Sequence, residues 1–154
     1  NSIPKIKAQY LDKSFGEHSY KNTLSNIMTD WTFGMHILNL LEMNPSKAFG
    51  YQFNVKSPFL EGRLGAYHGS ELPYLFGSWI KFPDLCCSNA KFISDFLQAS
   101  WTNFAKTGSP SSDQFFWPSY LKENSVAQIN SMVELKPYNN VSNIKLLHDS
   151  KITY

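Results

Sequence analysis

The chain has 154 residues, 42% of them hydrophobic and 16% aromatic, and a formal net charge of +2. That length suffices for one domain with a core, and so many aromatics belong to a folded chain, not a disordered one. The 14 lysines and arginines are scattered and form no basic stripe, which argues against nucleic acid, and no apolar run reaches the roughly 18 residues a membrane span needs.

Residues 1–18 are mixed and polar, with no clear period. Leu24, Ile27, Met28, Trp31, Met35, Leu38 and Leu41 then recur at helical spacing and mark one helical face. The helix is expected to end near Asn44-Pro45, because a residue before proline is pushed out of helical geometry. Phe49, Tyr51, Phe53 and Val55 alternate with other residues, the strand period, and Ser57-Pro58 closes that strand. A loop from Phe59 to Tyr67 leads to His68. Residues 70–77 predict a helix of about two turns, stopped by Gly77.

Ser88 reads as the N-cap of the next helix. Phe92, Ile93, Phe96, Leu97, Trp101, Phe104 and Ala105 make its apolar stripe, and Lys106, Gly108 and Pro110 its stop. Phe115 to Tyr120 is aromatic and punctuated by proline. Val126–Ile129 and Met132–Leu135, parted by Asn130-Ser131, predict a short hairpin at a sheet edge. From Tyr138 onward the sequence reads as a polar tail. Helix, strand, histidine loop, two helices and hairpin suit an α/β architecture. One inner strand plus a hairpin gives an incomplete sheet for two large apolar helix faces, so the chain is expected to be the end of a domain.

His68 is the most suggestive chemical group. It lies between Gly65 and Gly69 on a turn after a strand, where an imidazole can take the proton of a serine nucleophile. In α/β-hydrolases the histidine is the last triad member along the chain, after the serine and the acid. Glu71 follows three residues later, an awkward position for orienting His68 directly, and is read as a supporting or capping residue. His18, His36 and His148 have no such surroundings. No Gly-x-Ser-x-Gly elbow and no Gly-Gly-Gly run occurs. The adjacent Cys86-Cys87 pair is neither a disulfide framework nor a metal site, and reads as two small semi-buried side chains, one of them free to pair outside the chain. No cofactor is implied. Asn140-Val141-Ser142 is a weak glycosylation acceptor pattern.

Five ordered motifs carry a resemblance. Met28-Thr29-Asp30-Trp31-Thr32-Phe33, Phe49-Gly50-Tyr51-Gln52-Phe53, the run Gly65 to Gly77 around His68, Trp101 to Pro110, and Phe116-Trp117-Pro118-Ser119-Tyr120 together resemble the C-terminal third of the type-B carboxylesterase/lipase family. The resemblance covers about residues 20–135 and leads us to treat 1–154 as one C-terminal segment of an α/β-hydrolase domain. It implies an ester or lipid substrate, His68 as the catalytic histidine, Glu71 behind it, a structural Asp30, and a secreted or ER-lumenal protein. The family's serine, oxyanion glycines and acid all lie N-terminal to this stretch, and only 67 residues precede His68. The chain is therefore expected to be inactive alone, either a processed or split chain completed by the N-terminal part of the same domain or a truncated fragment. A non-catalytic adhesion member of the fold is the alternative.

Overall fold

The computed structural model of the chain describes residues 3–11, 19–138 and 140–150. In chain order its elements are α1 (Ile3–Tyr10), α2 (Ser19–Thr29), a π-helical turn (Asp30–Gly34), α3 (Met35–Met43), β1 (Gly50–Phe53), α4 (Leu72–Leu75), α5 (Ala90–Thr107), α6 (Tyr120–Glu123), β2 (Ser125–Ile129), β3 (Val133–Pro137) and α7 (Val141–Asp149), with short 3-10 turns between β1 and α5. They form two compact units, one from residues 1–44 and 138–154, the other from residues 45–137.

The first unit is helical. The long helix starts at Ser19, earlier than the apolar period shows, and ends at Met43 as its spacing implies. Its expected face is only partly buried. Leu38 and Leu41 are inside, whereas Leu24 and Met28 are exposed. The face nevertheless continues through the π turn, with Ile27, Trp31 and Met35 half-buried along it, while Leu24 lines the open side toward α1. Two stretches read as irregular are helices. Short α1 buries Ile6 and Tyr10, four residues apart, and α7, in the expected tail, buries Ile144 and Leu147. Ile6, Tyr10 and Leu147 form a small core, backed by Ile27, Trp31, Met35 and Leu146. A Cβ on Gly34 would lie 3.0 Å from Ile144 Cδ1, so the π turn and α7 approach too closely for any larger residue without adjustment.

The second unit is a three-stranded sheet against helices, ordered β1-β2-β3. β1 runs parallel to β2, with Tyr51 opposite Ala127 and Phe53 opposite Ile129. β2 runs antiparallel to β3. The hairpin is present, but β2 is the central strand, not an edge, and all five of its residues are buried. Two of them are polar, and one is satisfied through the sheet. Gln128 Nε2 donates to Gln52 Oε1 at 2.9 Å and its Oε1 accepts from Asn54 Nδ2 at 2.6 Å. Buried amides paired in this way hide a central strand from hydropathy.

The other face of β1 meets α5 and α4. Tyr51 packs edge-on to Trp101, Phe49 to Phe104, and Phe53 against Tyr74. Val55, Tyr74, Cys86, Ala90, Ile93, Leu97 and Ile129 form the core. Asn89, not Ser88, stands before α5, and its side chain donates to Ser131 O at 2.7 Å without capping the helix. The C-terminal stop is as expected: Gly108 has φ +77° and its N–H donates to Phe104 O at 2.8 Å. α4 is one turn, shorter than the expected two, and Gly77 ends it with φ +67°.

Candidate active-site histidine loop

After β1 the Asn54 N–H donates to Ile129 O at 2.8 Å, and the backbone then leaves the sheet. Ser57 is buried, and its N–H donates to Gly65 O at 3.0 Å, closing a loop over residues 57–65. Inside that loop Leu60 (φ +51°) and Glu61 (φ +59°) are left-handed without being glycine. The Arg63 N–H and Nε both donate to Leu60 O, at 3.1 and 3.3 Å, and hold the bend. Backbone of this kind costs on the order of 1 kcal/mol per residue and persists only where its surroundings fix it.

The closed loop delivers the chain to His68. Ser70 N–H donates to Tyr67 O at 3.0 Å, so His68 and Gly69 are the central residues of a turn. Gly69 has φ +81°, the value its third position requires in a type II turn. His68 is exposed at the tip. Ser70 is buried, and its Oγ has no hydrogen-bond partner among the described residues.

Glu71 is half-buried immediately before α4. Its carbonyl accepts from the N–H groups of Tyr74 and Leu75, but its side chain caps nothing. The carboxylate instead lies close enough to Tyr51 to raise that phenol's pKa, second to burial.

Tyr74, buried under this turn, accepts the Cys87 N–H on its Oη at 3.0 Å, and its carbonyl accepts from Ser94 Oγ at 2.6 Å. Burial pushes the Tyr74 phenol up, and likewise the Cys86 thiol. Cys86 is buried, Cys87 half-buried, and both are unbridged. A buried thiol with a raised pKa is a packing residue, not a nucleophile.

Asn140 lies in the helical unit, just before α7, and its Nδ2 donates to Asp30 Oδ1 at 3.1 Å. The other Asp30 oxygen accepts from Tyr10 Oη at 2.8 Å. Asp30 is 2% exposed, in keeping with a structural role. Sequence reading missed this three-residue brace, because nothing local links Tyr10, Asp30 and Asn140. His36 and His148 are exposed, with His148 Nδ1 3.4 Å from Asp149, and His18 lies outside the described residues.

The sequence model of the carboxylesterase family matches residues 2–145. Phenmedipham hydrolase of Pseudarthrobacter oxydans is 25% identical over an alignment of 141 positions that covers 75% of this chain and 28% of that protein. Carboxylesterase 4A of Bos taurus is 29% identical over an alignment of 139 positions that covers 83% of this chain and 25% of its own length. The fold is similar to that of a solved thermophilic PNB esterase, with a TM-score of 0.67 at 20% identity, over 96% of this chain and 30% of that one. The chain therefore spans about a quarter of the curated relatives it matches. The sheet flanked by helices is part of an α/β-hydrolase fold, and the chain belongs to the carboxylesterase family.

Proposed function

We propose that this chain supplies the catalytic histidine of a serine-type carboxylic-ester hydrolase, and that the serine, the acid and the oxyanion donors come from polypeptide outside these 154 residues. The observation that carries the reading is the placement of His68. It is exposed at the tip of a glycine-hinged turn that directly follows a strand. An imidazole so held can reach a nucleophile on a neighbouring element. The chain's own sequence holds no Gly-x-Ser-x-Gly elbow to serve it.

In this reading His68 takes the serine proton as the hydroxyl attacks the ester carbonyl, then passes it to the leaving alcohol. Water resolves the acyl-enzyme by the same route in reverse. Glu71 supports the turn through its carbonyl, which accepts from the Tyr74 and Leu75 N–H groups. The substrate is an ester or lipid. A secreted or ER-lumenal location belongs to the same reading. Its mark would be a glycan on Asn140 Nδ2, an atom that retains one hydrogen for Asp30 after modification.

The test is His68→Ala in the chain joined to its upstream partner. Hydrolysis of a p-nitrophenyl ester is expected to fall by at least about a thousandfold. Turnover close to wild type would remove His68 from the mechanism. The 154-residue chain alone is expected to show no turnover above buffer, and significant turnover would place the nucleophile within it.

A further inference from the structure

The helical unit has a surface feature that ester chemistry does not use. Between α1 and α2 runs an open groove of about 250 Å³, lined mainly by apolar side chains, among them Ile3, Ile6, Leu24 and Ile27. Ile3 is 67% exposed and Leu24 57% exposed, so the groove is not closed over by the described residues. Tyr20, also on its wall, is 74% exposed.

Charge selects the occupant. Lys7 lines the groove itself, and Lys5 and Lys21 are exposed on the same two helices, which carry no acidic residue. Residues 1–29 hold four of the chain's fourteen basic residues and two of its twelve acidic ones. The whole net charge of +2 therefore lies in this stretch, and the rest of the chain is balanced. Exposed aliphatic groups, a tyrosine and lysines on short helices are the combination that settles at a membrane–water interface. The apolar groups enter the acyl boundary, the tyrosine sits at headgroup level, and the lysine stems lie along the apolar surface with their ammonium groups on anionic headgroups. No helix among the described residues is long and apolar enough to cross a membrane, so the contact is at the surface.

We propose that the α1–α2 groove docks this chain onto an anionic lipid surface. The proposal does not rest on His68, and its test does not read ester turnover. Vesicle flotation is the experiment, because floating lipid separates bound protein from aggregate. With vesicles containing about 30% phosphatidylglycerol the chain joined to its upstream partner is expected to float at least about tenfold more than with phosphatidylcholine alone. Raising salt from about 0.1 M to about 0.5 M is expected to reverse this in the unaltered protein. The triple variant Lys5→Glu, Lys7→Glu, Lys21→Glu should lose the preference, and Leu24→Asp should lose flotation, both with circular dichroism matching wild type. Equal flotation on neutral vesicles, no flotation at all, or full flotation of the triple variant would overturn the proposal. Saturable binding of a monomeric fatty acid without flotation would also overturn it and assign the groove to a single acyl chain.

Discussion

Asp30 is a carboxylate buried to 2% exposure, held by Tyr10 and Asn140 from segments 20 and 110 residues away. Burial raises its pKa above the ordinary 3.8, outweighing the two hydrogen bonds that lower it. The folded state therefore keeps this proton where the unfolded chain has released it. The stabilisation by protonated Asp30 is complete below the ordinary value and is lost as the pH rises through the raised one. Asp30→Asn keeps the shape and removes the titration. Thermal melts from about pH 3 to about pH 7 should show wild type losing ground to this variant as the pH rises, whereas a constant gap would show that Asp30 does not titrate in this window. His68 makes the complementary point. Its glycines and following turn are readable in the sequence, but the partners it has in the proposed role are not, because triad members meet through the fold and not along the chain.

At the scale of elements, glycines at two helix ends offer a paired comparison. Gly77 and Gly108 both have positive φ. A Cβ on Gly108 would meet nothing within 4 Å, so Gly108→Ala should cost about 1–2 kcal/mol of backbone strain alone. On Gly77 it would lie 3.0 Å from Gln98 Nε2, the far end of an exposed, flexible side chain that can give by a few tenths of an ångström. Gly77→Ala should therefore cost about the same 1–2 kcal/mol, measured by urea denaturation, and a cost several times larger would show that Gln98 is fixed in place. The elements readable in sequence are those whose burial shares their period. α5 buries Ile93 and Leu97 of its stripe and keeps its Gly108 stop, although Phe92, Phe104 and Ala105 are exposed and Ala90, Ser94 and Ser100 are buried instead, and β1 alternates into α5. Where burial departs from pattern, reading fails. α1 and α7 bury only two residues each, and β2 is a central strand whose Ser125 and Gln128 look like surface residues.

Across the whole molecule, apolar exposure is heavy around the histidine loop. Phe59, Leu60, Leu64, Leu72, Phe76 and Ile80 are all at least 43% exposed, and among the described residues β1 pairs only with β2. Large apolar surface and an unpaired strand edge are the usual marks of a missing neighbour. The isolated chain is expected to bind ANS and melt broadly or aggregate, and a sharp cooperative melt without ANS binding would count against a missing neighbour. The helical unit carries a different consequence, one of timing. Its residues 1–44 leave the ribosome before the sheet unit, but the rest of it, residues 138–154, follows after that unit. At about 5–20 residues per second, the intervening sheet unit takes about 5–20 seconds to synthesise. Throughout that interval Asp30 has no Asn140, and Ile6 and Tyr10 have no Leu147. The sheet unit is contiguous, so none of its own contacts waits for residues 138–154. The helical unit must wait for the final turn of α7, so a chain that stops short of Leu147 forfeits its earliest-made helices, not its latest-made strands.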